Sequence, residues 1–479
     1  MARINTNTAA IIAGRQLARS HHGLSVSLER LSSGLRINRG ADDPAGLIVS
    51  ESLRAEIESV RQAIANSQRA SNIISTTEGA LNEVASLLND IQSKILEAAN
   101  TGAVSDDEIR ANQMQIDSAI DSITRIANTT TFAGRKLLNG SLGYITSGIN
   151  TTEITDVRIN AVSFGTASFV PVTINVIQSA QHALLEFRTS SITSDVTIEI
   201  SGPAGVTTLP LLSGTTTSEI RAAINQVSDA TGVSASFINA GNPNSGVTMT
   251  SIAYGSDAFV QVAELGGVSG IFNTSNADDE DVDRDIGRDA SATVNGASSL
   301  GKGLDLFLNT TGLSMELRLL EAFNKIGSTS FAIAGGGAIF QLGPGVDSNQ
   351  QVNIGVPSTA ASNLGNATLG YLTEVKDGGQ YALTNDGASQ AAKIVEKAIR
   401  QISVLRGRLG AFEKNTLDTN ISQLRITMEN LTSSESSIRD LDFAQETSNL
   451  TRAQIMVSAG TSVLAIANQT PQSVLALLQ

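Results

Sequence analysis

Few residues in this chain belong to the types that most often carry catalysis or bind metals. There are three histidines, His21, His22 and His182, and no cysteine. A zinc protease helix needs two histidines four residues apart with a glutamate between them, and the chain has no such pattern. His21 and His22 are adjacent and point to different faces of a helix, which argues against a shared metal. The lack of cysteine excludes disulfides, thiolate metal sites and cysteine nucleophiles.

One acidic run, residues 278–285, invites a calcium interpretation. Asp281, Asp283 and Asp285 alternate as the ligands of an EF-hand loop do, but Ile286 stands where glycine is needed. Ala292 occupies the place of the bidentate glutamate. A solvated acidic loop is therefore the favoured interpretation. We predict that the chain is not an enzyme, binds no metal and needs no cofactor.

Composition narrows the classes of partner. The chain has 479 residues and a net charge of −14, which argues against a nucleic-acid binder that needs clustered Lys and Arg. Of its residues 41% are hydrophobic but only 4% are aromatic, and an aliphatic core suits helix-on-helix packing. No stretch is expected to supply the ~20 apolar residues of a membrane-spanning helix, so we predict no membrane insertion.

The elements that carry the apolar residues are long helices near both ends of the chain. Apolar residues recur at steps of three and four, as on a helix that packs along a partner helix. A helix from Pro44 to about residue 100 would be roughly 80 Å long at ~1.5 Å per residue, which indicates a rod. Near the C-terminal end of the chain, the apolar stripe changes phase between Phe412 and Leu417, so the helix that carries it bends or changes register there. The main stripe positions are Leu53, Ile57, Leu81, Leu88, Leu405, Leu409, Ile421 and Leu424.

Shorter signals define helix starts and strands. Ser105 with Glu108, and Thr216 with Glu219, form capping-box patterns. Asp42 or Asp43 can cap the helix that begins near Pro44. Between these helical regions, Gly, Ser and Thr dominate and apolar residues alternate with period two, which predicts half-buried strands.

The two termini differ in charge. The first 40 residues carry six arginines and one glutamate, whereas residues 453–479 carry no charge at all. An uncharged helix of this kind has little to keep it soluble alone, so we predict that it is buried between copies of the chain.

At both ends, the chain resembles bacterial flagellin. The blocks LSSGLRI at 31–37, DDPAG at 42–46 and TEGAL at 77–81 are similar to the N-terminal signature of that family. The blocks AGTSVLA at 459–465 and NQTPQ at 468–472 are similar to its C-terminus. More weakly, residues 196–262 resemble a repeat found in flagellins and hook-associated proteins.

The resemblance implies an α+β multidomain fold with a discontinuous all-α core of coiled coil and helical bundle, built from both chain ends. It places β-rich outer domains in the middle. We expect six segments: an inner helix and connecting loop at 1–43, a core bundle at 44–142 and 379–452, an α+β outer domain at 143–272, a second β-rich domain at 273–378, and a C-terminal inner helix at 453–479.

The resemblance also implies a function. It predicts a structural subunit that polymerises into the flagellar filament for swimming motility and is secreted, by flagellar type III export, to the outside of the cell. The expected partners are further copies of the chain, an export chaperone on the C-terminal helices, and the filament cap and hook-associated junction proteins. Two alternatives stay open, a hook–filament junction protein and a flagellin whose outer domain also acts as an adhesin.

Three groups of residues are assigned to this assembly. We expect the stripe positions given above to pack the outer helical bundle. For these residues, packing inside one subunit is favoured over contacts between subunits. The connecting loop between layers is expected to be shaped by Gly34, Arg36, Asp42, Asp43 and Pro44. The inner-tube contacts are expected at Leu24, Leu28, Leu31, Met456, Val463, Ile466, Leu475 and Leu478.

Two positions depart from the family. Members that trigger the flagellin-sensing Toll-like receptor carry an arginine and a leucine downstream of the block at 77–81, where this chain has Asp90 and Lys94. Charge reversal at one contact and loss of an apolar anchor at the other should weaken receptor binding. We expect purified monomer to activate a receptor reporter cell line poorly. A full response at ordinary flagellin doses would contradict this expectation.

Overall fold

The computed structural model describes residues 6–100, 102–165, 167–267, 269–310, 312–385 and 387–476, with side chains described up to residue 469. Helices dominate both ends of this range and strands dominate its middle, as the sequence predicts. The α-helices are α1 (Thr8–Ser33), α2 (Pro44–Ala98), α3 (Asp106–Thr129), α4 (Thr217–Gln226), α5 (Ser228–Thr231), α6 (Ala388–Phe412), α7 (Thr419–Arg439) and α8 (Phe443–Ala476).

The strands are short and pair antiparallel. They are β1 (Thr131–Phe132), β2 (Arg135–Lys136), β3 (Tyr144–Ser147), β4 (Ile154–Val162), β5 (Val170–Gln178), β6 (Leu184–Phe187), β7 (Val196–Gly202), β8 (Gly205–Leu211), β9 (Val233–Asn239), β10 (Asn242–Ser251), β11 (Phe259–Gly267), β12 (Arg284–Ile286), β13 (Ser291–Val294), β14 (Ala297–Ser298), β15 (Leu300–Lys302), β16 (Asp305–Asn309), β17 (Leu313–Leu319), β18 (Gly327–Gly336), β19 (Ala338–Gln341), β20 (Gln351–Ile354), β21 (Gly365–Asn366) and β22 (Gly370–Tyr371).

The chain divides into two compact units. The first contains residues 1–70, 341–346 and 414–479, and the second contains residues 71–340 and 347–413. Unit 1 is therefore made of both chain ends and one short internal segment. Its helices α1 and α8 pack side by side, and Val60 and Ala63 of α2 form an apolar cluster with Leu424 of α7.

The helices of unit 2 bury continuous apolar stripes. Leu81 and Leu88 of α2, and Leu405 and Leu409 of α6, are buried, as is the α3 stripe that runs from Ile116 to Ala127. The side chain of Gln113 holds the returning chain against α3. Its amide Nε2 donates to the carbonyl oxygen of Val375 at 2.9 Å, and its Oε1 accepts from the backbone N–H of Leu383 at 2.8 Å.

The β-rich part of unit 2 has two apolar cores. One lies between the five-stranded sheet β14-β13-β5-β18-β3 and the four-stranded sheet β15-β16-β17-β4. The other lies between the sheet β12-β11-β7-β8, the sheet β6-β10-β9 and helix α4. The α+β module is thus inserted into the chain between β5 and β13, which pair with one another.

This pairing differs from the expected division into consecutive domains at 143–272 and 273–378. Strands β4 and β5 share sheets and a core with β13 to β18, although about 110 residues of sequence separate β5 from β13. Alternating apolar residues identify a strand and its buried face, but the partner strand is fixed by long-range packing. The sequence pattern therefore identified the strands without grouping them correctly.

Arg408 of α6 anchors the helices of unit 2 to the β-sheets. Its guanidinium donates to Oδ1 of Asn160 on β4 and, at 2.6 Å, to the carbonyl oxygen of Gly355. Burial lowers the pKa of Arg408 and raises the pKa of the neighbouring Tyr144 to about 12. The Tyr144 hydroxyl accepts from the N–H of Val162 at 3.1 Å, so two buried polar groups fix this corner.

Several local signals appear as predicted. Capping boxes are complete at Ser105 with Glu108 and at Thr216 with Glu219. The phase change after Phe412 is a π-helical turn, Glu413–Asp418, between α6 and α7. A π-turn inserts one residue into the helical repeat, which explains why the apolar stripe shifts without the helix ending.

The expectation that no stretch approaches the length and apolar content of a membrane-spanning helix is wrong for α8, while the absence of membrane insertion stays a prediction. Among the described residues, the stretch Phe443–Gln469 is long and apolar enough to cross a membrane by length and composition. It was missed because its apolar residues are interspersed with Ser, Thr, Gln and Asn rather than continuous. Glu446 and Arg452 are its charged residues.

The β-rich part should be removable without loss of the helices. The N–H of Gly337 donates to the carbonyl oxygen of Gly143 at 3.1 Å, so the two ends of segment 144–336 are adjacent, and its removal keeps the unit 1 segment 341–346. A variant with this segment replaced by a short Gly-Ser link should keep its helical far-ultraviolet circular dichroism per helical residue and unfold cooperatively.

A smaller excision provides the matched control. Gln181 and Arg288 form a backbone bridge, so replacing 184–286 by the same link removes only the α+β module. Loss of helical signal in the larger excision, but not in the smaller one, would show that the helices depend on the sheets of the first core.

Candidate functional site

The residue types that carry chemistry do not form a reactive centre in the described part of the chain. His21 and His22 are exposed on α1. His182 lies against the ring of Tyr254, with 3.6 Å between ring centroids. In the described residues, no group of three His, Cys, Asp or Glu side chains is placed to hold a metal ion. Within the acidic run, Asp285 accepts from the N–H of Leu184 at 2.7 Å.

The strongest candidate for a functional surface is the helix pair α1 and α8. In the seam between them, the helices approach closely at Gly460, where an added Cβ would lie 3.2 Å from Cδ1 of Leu17. At one end of the seam, Asn7 caps α1 by accepting from the N–H of Ala10. The same side chain donates to the carbonyl oxygen of Ala467 at 2.7 Å. One amide therefore fixes the start of α1 against α8.

Helix α8 has two apolar faces, and α1 covers one of them. The half-buried or buried positions repeat at helical spacing as Ala453, Val457, Gly460, Leu464 and Ala467. A second apolar stripe faces away from this seam. Its members are exposed by 43% at Met456, 53% at Val463 and 65% at Ile466. An amphipathic helix that packs on one partner needs a single such face.

The residues predicted as inner-tube contacts differ in how exposed they are in the structure. Leu24 and Leu31 are half-buried, while Leu28 is 51% exposed. Met456, Val463 and Ile466 lie on the exposed stripe of α8. Leu478 lies outside the described residues, and the side chain of Leu475 is likewise not among those described.

The residues predicted to shape the connecting loop lie between α1 and α2, and Pro44 is the first residue of α2. Gly34 ends α1 with a positive φ of 73°, and its N–H donates to the carbonyl oxygen of Arg30. An antiparallel backbone bridge follows between the loop and the chain before α8. The N–H of Arg36 donates to the carbonyl oxygen of Arg439 at 2.7 Å, and that of Leu441 donates to Gly34 at 3.0 Å. The Arg36 guanidinium donates to the carbonyl oxygen of Ile438.

Two carboxylates then organise the turn into α2. Asp42 Oδ2 accepts from the N–H groups of Arg39 and Asn38 at 2.9 and 3.1 Å. These hydrogen bonds lower the pKa of Asp42. Asp43 Oδ1 accepts from the N–H of Gly46 at 2.9 Å and so caps α2, whose first residue is Pro44. Both aspartates were predicted, and each has its own role.

Several residues of this region were not found from the sequence. Glu446, buried in α8, lies 3.9 Å from the Arg30 guanidinium, and Arg439 lies 3.1 Å from Glu51. Ile37, a residue of the connecting loop, is fully buried. The sequence gives no local signal for these ion pairs, because the burial of Glu446 depends on which helices meet.

The bundle residues lie in both units. Within unit 1, Ile57, Ile421 and Leu424 are buried and Leu53 is half-buried. Within unit 2, Leu81, Leu88, Leu405 and Leu409 are buried, as described above. All but Leu53 are thus covered inside a single chain.

Asp90 and Lys94 lie on α2 beside α3. With Leu87, Ile91 and Ala119 they line an open groove of about 400 Å³. The Lys94 ammonium lies 2.8 Å from a carboxylate oxygen of Glu97, and hydrogen bonding to Lys94 lowers the pKa of Glu97. Lys94 is therefore held by its own helix.

Comparison with known proteins gives this architecture a family. Residues 4–142 match the bacterial flagellin N-terminal helical region, residues 392–478 match the bacterial flagellin C-terminal helical region, and residues 197–252 match the flagellin hook IN motif. Helices from both ends around a β-rich middle, with these matches, define a filament-forming structural protein.

Relatives that match this chain over almost their whole length are named flagellins. Flagellin A of Vibrio cholerae is 30% identical over 485 residues, and flagellin of Salmonella rubislaw is 28% identical over 504 residues; each match covers 99% of both chains. Among solved structures, the flagellar junction protein FlgL from Legionella pneumophila is 12% identical, covers 82% of this chain and 99% of that chain, and has a TM-score of 0.30, too low to support a conclusion.

The chain belongs to the bacterial flagellin family. It is a structural subunit of the bacterial flagellar filament, which lies outside the cell.

The role of Asp42 can be tested by pH. Because its pKa is lowered in the fold, its carboxylate stabilises the loop above the ordinary pKa of 3.8, and this contribution is lost as pH falls through the lower, folded pKa. Asp42→Asn should therefore speed amide hydrogen exchange at Asn38 and Arg39 at neutral pH. The difference from the natural chain should shrink in acid. Equal exchange at neutral pH would exclude this role.

Proposed function

We propose that the exposed stripe of α8 is the surface by which neighbouring subunits pack into the inner tube of the filament. The observation that carries this proposal is the pair of apolar faces on α8, of which α1 covers one. The second face, with Met456, Val463 and Ile466, is exposed in the single chain. It needs a partner that repeats with each added copy.

The energetics suit a polymer. Burying one aliphatic side chain of this size is worth roughly 1.5–3 kcal/mol, so three such side chains supply several kcal/mol for each added subunit. Contacts between different faces of successive copies build a helical filament when the rotation from copy to copy does not close a ring. The connecting loop would then set where each copy's α2 begins relative to the tube.

The same stripe accounts for the further partners. An exposed apolar helix must be shielded before export, and a chaperone that covers α8 would prevent early polymerisation. Export through the flagellar type III channel then delivers the chain to a growing end bounded by cap and junction proteins. These steps rest on the family assignment and on the exposure of α8. Receptor contact at the groove with Asp90 and Lys94 is expected to be weak.

The proposed assembly surface can be tested by substitution. Val463→Ser with Ile466→Ser removes about 3 kcal/mol of apolar burial, so the critical concentration for polymerisation should rise about a hundredfold. Polymer would be measured by sedimentation and electron microscopy after adding filament seeds or a precipitant.

A matched control replaces two exposed isoleucines of the β-rich part, Ile145→Ser with Ile326→Ser. This double variant should polymerise as the natural chain does. Helical circular dichroism should be the same in both double variants. If the α8 variant polymerises at the natural concentration, the stripe is not an assembly surface.

A further inference from the structure

Asn–Gly pairs occur twice in the chain, at Asn139-Gly140 and at Asn295-Gly296. In such a pair, the backbone nitrogen of the glycine can attack the asparagine side-chain carbonyl, because glycine has no side chain to obstruct the approach. Both pairs lie in turns, but the structure holds the two asparagine side chains in different ways.

The Asn295 side chain is hydrogen-bonded to strand β5. Its Oδ1 accepts from the N–H of Thr173 at 2.8 Å, and its Nδ2 donates to the carbonyl oxygen of Pro171 at 2.9 Å. Both ends of the amide are used, and both bonds must break before the side chain can turn toward Gly296. Asn295 is nevertheless exposed to solvent.

The Asn139 side chain instead folds over its own backbone. Its Oδ1 accepts from the N–H of Ser141 at 3.1 Å, the geometry of an Asx-turn, which keeps the side-chain carbonyl near the intervening peptide nitrogen. Among the described residues, the structure gives its Nδ2 no hydrogen-bond partner. The Ser141 N–H also polarises the carbonyl that would be attacked.

We propose that Asn139 is a site of spontaneous deamidation in the folded subunit and that Asn295 is protected. The nitrogen of Gly140 forms a bond to Cγ of Asn139, the Cγ–Nδ2 bond breaks, and Nδ2 leaves as ammonia with the proton from Gly140. Water then opens the cyclic imide to aspartate or, by the other bond, to isoaspartate.

The position of Asn139 gives this modification a structural effect. The carbonyl oxygens of Leu138 and Leu142 accept from the N–H groups of Thr359 and Val356 at 3.0 and 2.9 Å. Isoaspartate adds a backbone carbon between these two hydrogen bonds. It also adds a negative charge where Gly140 packs closely on Ser358.

The test compares both sites in one molecule. Full-length folded protein is kept in neutral buffer, sampled over weeks, and digested briefly with trypsin at mildly acidic pH. The two sites fall in separate tryptic peptides, 137–158 and 289–302. Mass spectrometry with fragmentation measures aspartate and isoaspartate at each. Chain kept in denaturant provides the reference rate, and Asn139→Gln should abolish the signal from the first peptide.

In denaturant, both sites should convert at similar rates. In the folded chain, Asn295 should convert at least about tenfold more slowly than Asn139, because two hydrogen bonds must open first. Solvent exposure alone predicts the opposite order. Equal or faster conversion at Asn295, or no conversion at Asn139 while the denatured chain converts, would overturn the proposal.

Discussion

The antiparallel bridge between Leu35 and Asp440 is the contact on which the terminal region depends. It joins the turn from α1 into α2 to the turn from α7 into α8. The chain passes this point twice, at positions more than 400 residues apart. Helices α1 and α7 end next to it, and helices α2 and α8 begin next to it. Two backbone hydrogen bonds and the Arg36 guanidinium fasten it. Because main-chain atoms form the join, many side-chain changes nearby leave its geometry in place.

Polar side chains serve a related purpose elsewhere. Gln113 and Arg408 each reach backbone carbonyl groups of distant segments, and Arg408 does so from a largely buried position. A buried polar group is costly unless it is hydrogen-bonded, so such anchors favour one arrangement of the segments they join. Aliphatic stripes alone would permit helices to slide along one another. The anchors supply the register that Leu, Ile and Ala cannot.

The sequence predicts those parts of the molecule that depend on neighbouring residues. The capping boxes at Ser105 and Thr216, the cap by Asp43 and the phase change after Phe412 all have causes within a few positions. The grouping of β5 with β13 and β18 depends on which surfaces meet, so no local pattern reveals it. Among the candidate site residues, the loop aspartates were found from caps and turns. The pairs of Glu446 with Arg30 and of Arg439 with Glu51 were missed because the two members of each pair lie far apart in sequence.

The hydrogen bond between Leu142 and Val356 has a consequence for how the chain can change over evolution. The entry and exit of the β-rich region lie side by side, so a change in its length need not change the distance between the segments that enter and leave it. Within unit 2, the β-rich region therefore joins the helices at one place. Because every subunit of a filament carries one such region, any change in its sequence is repeated at each subunit along the polymer.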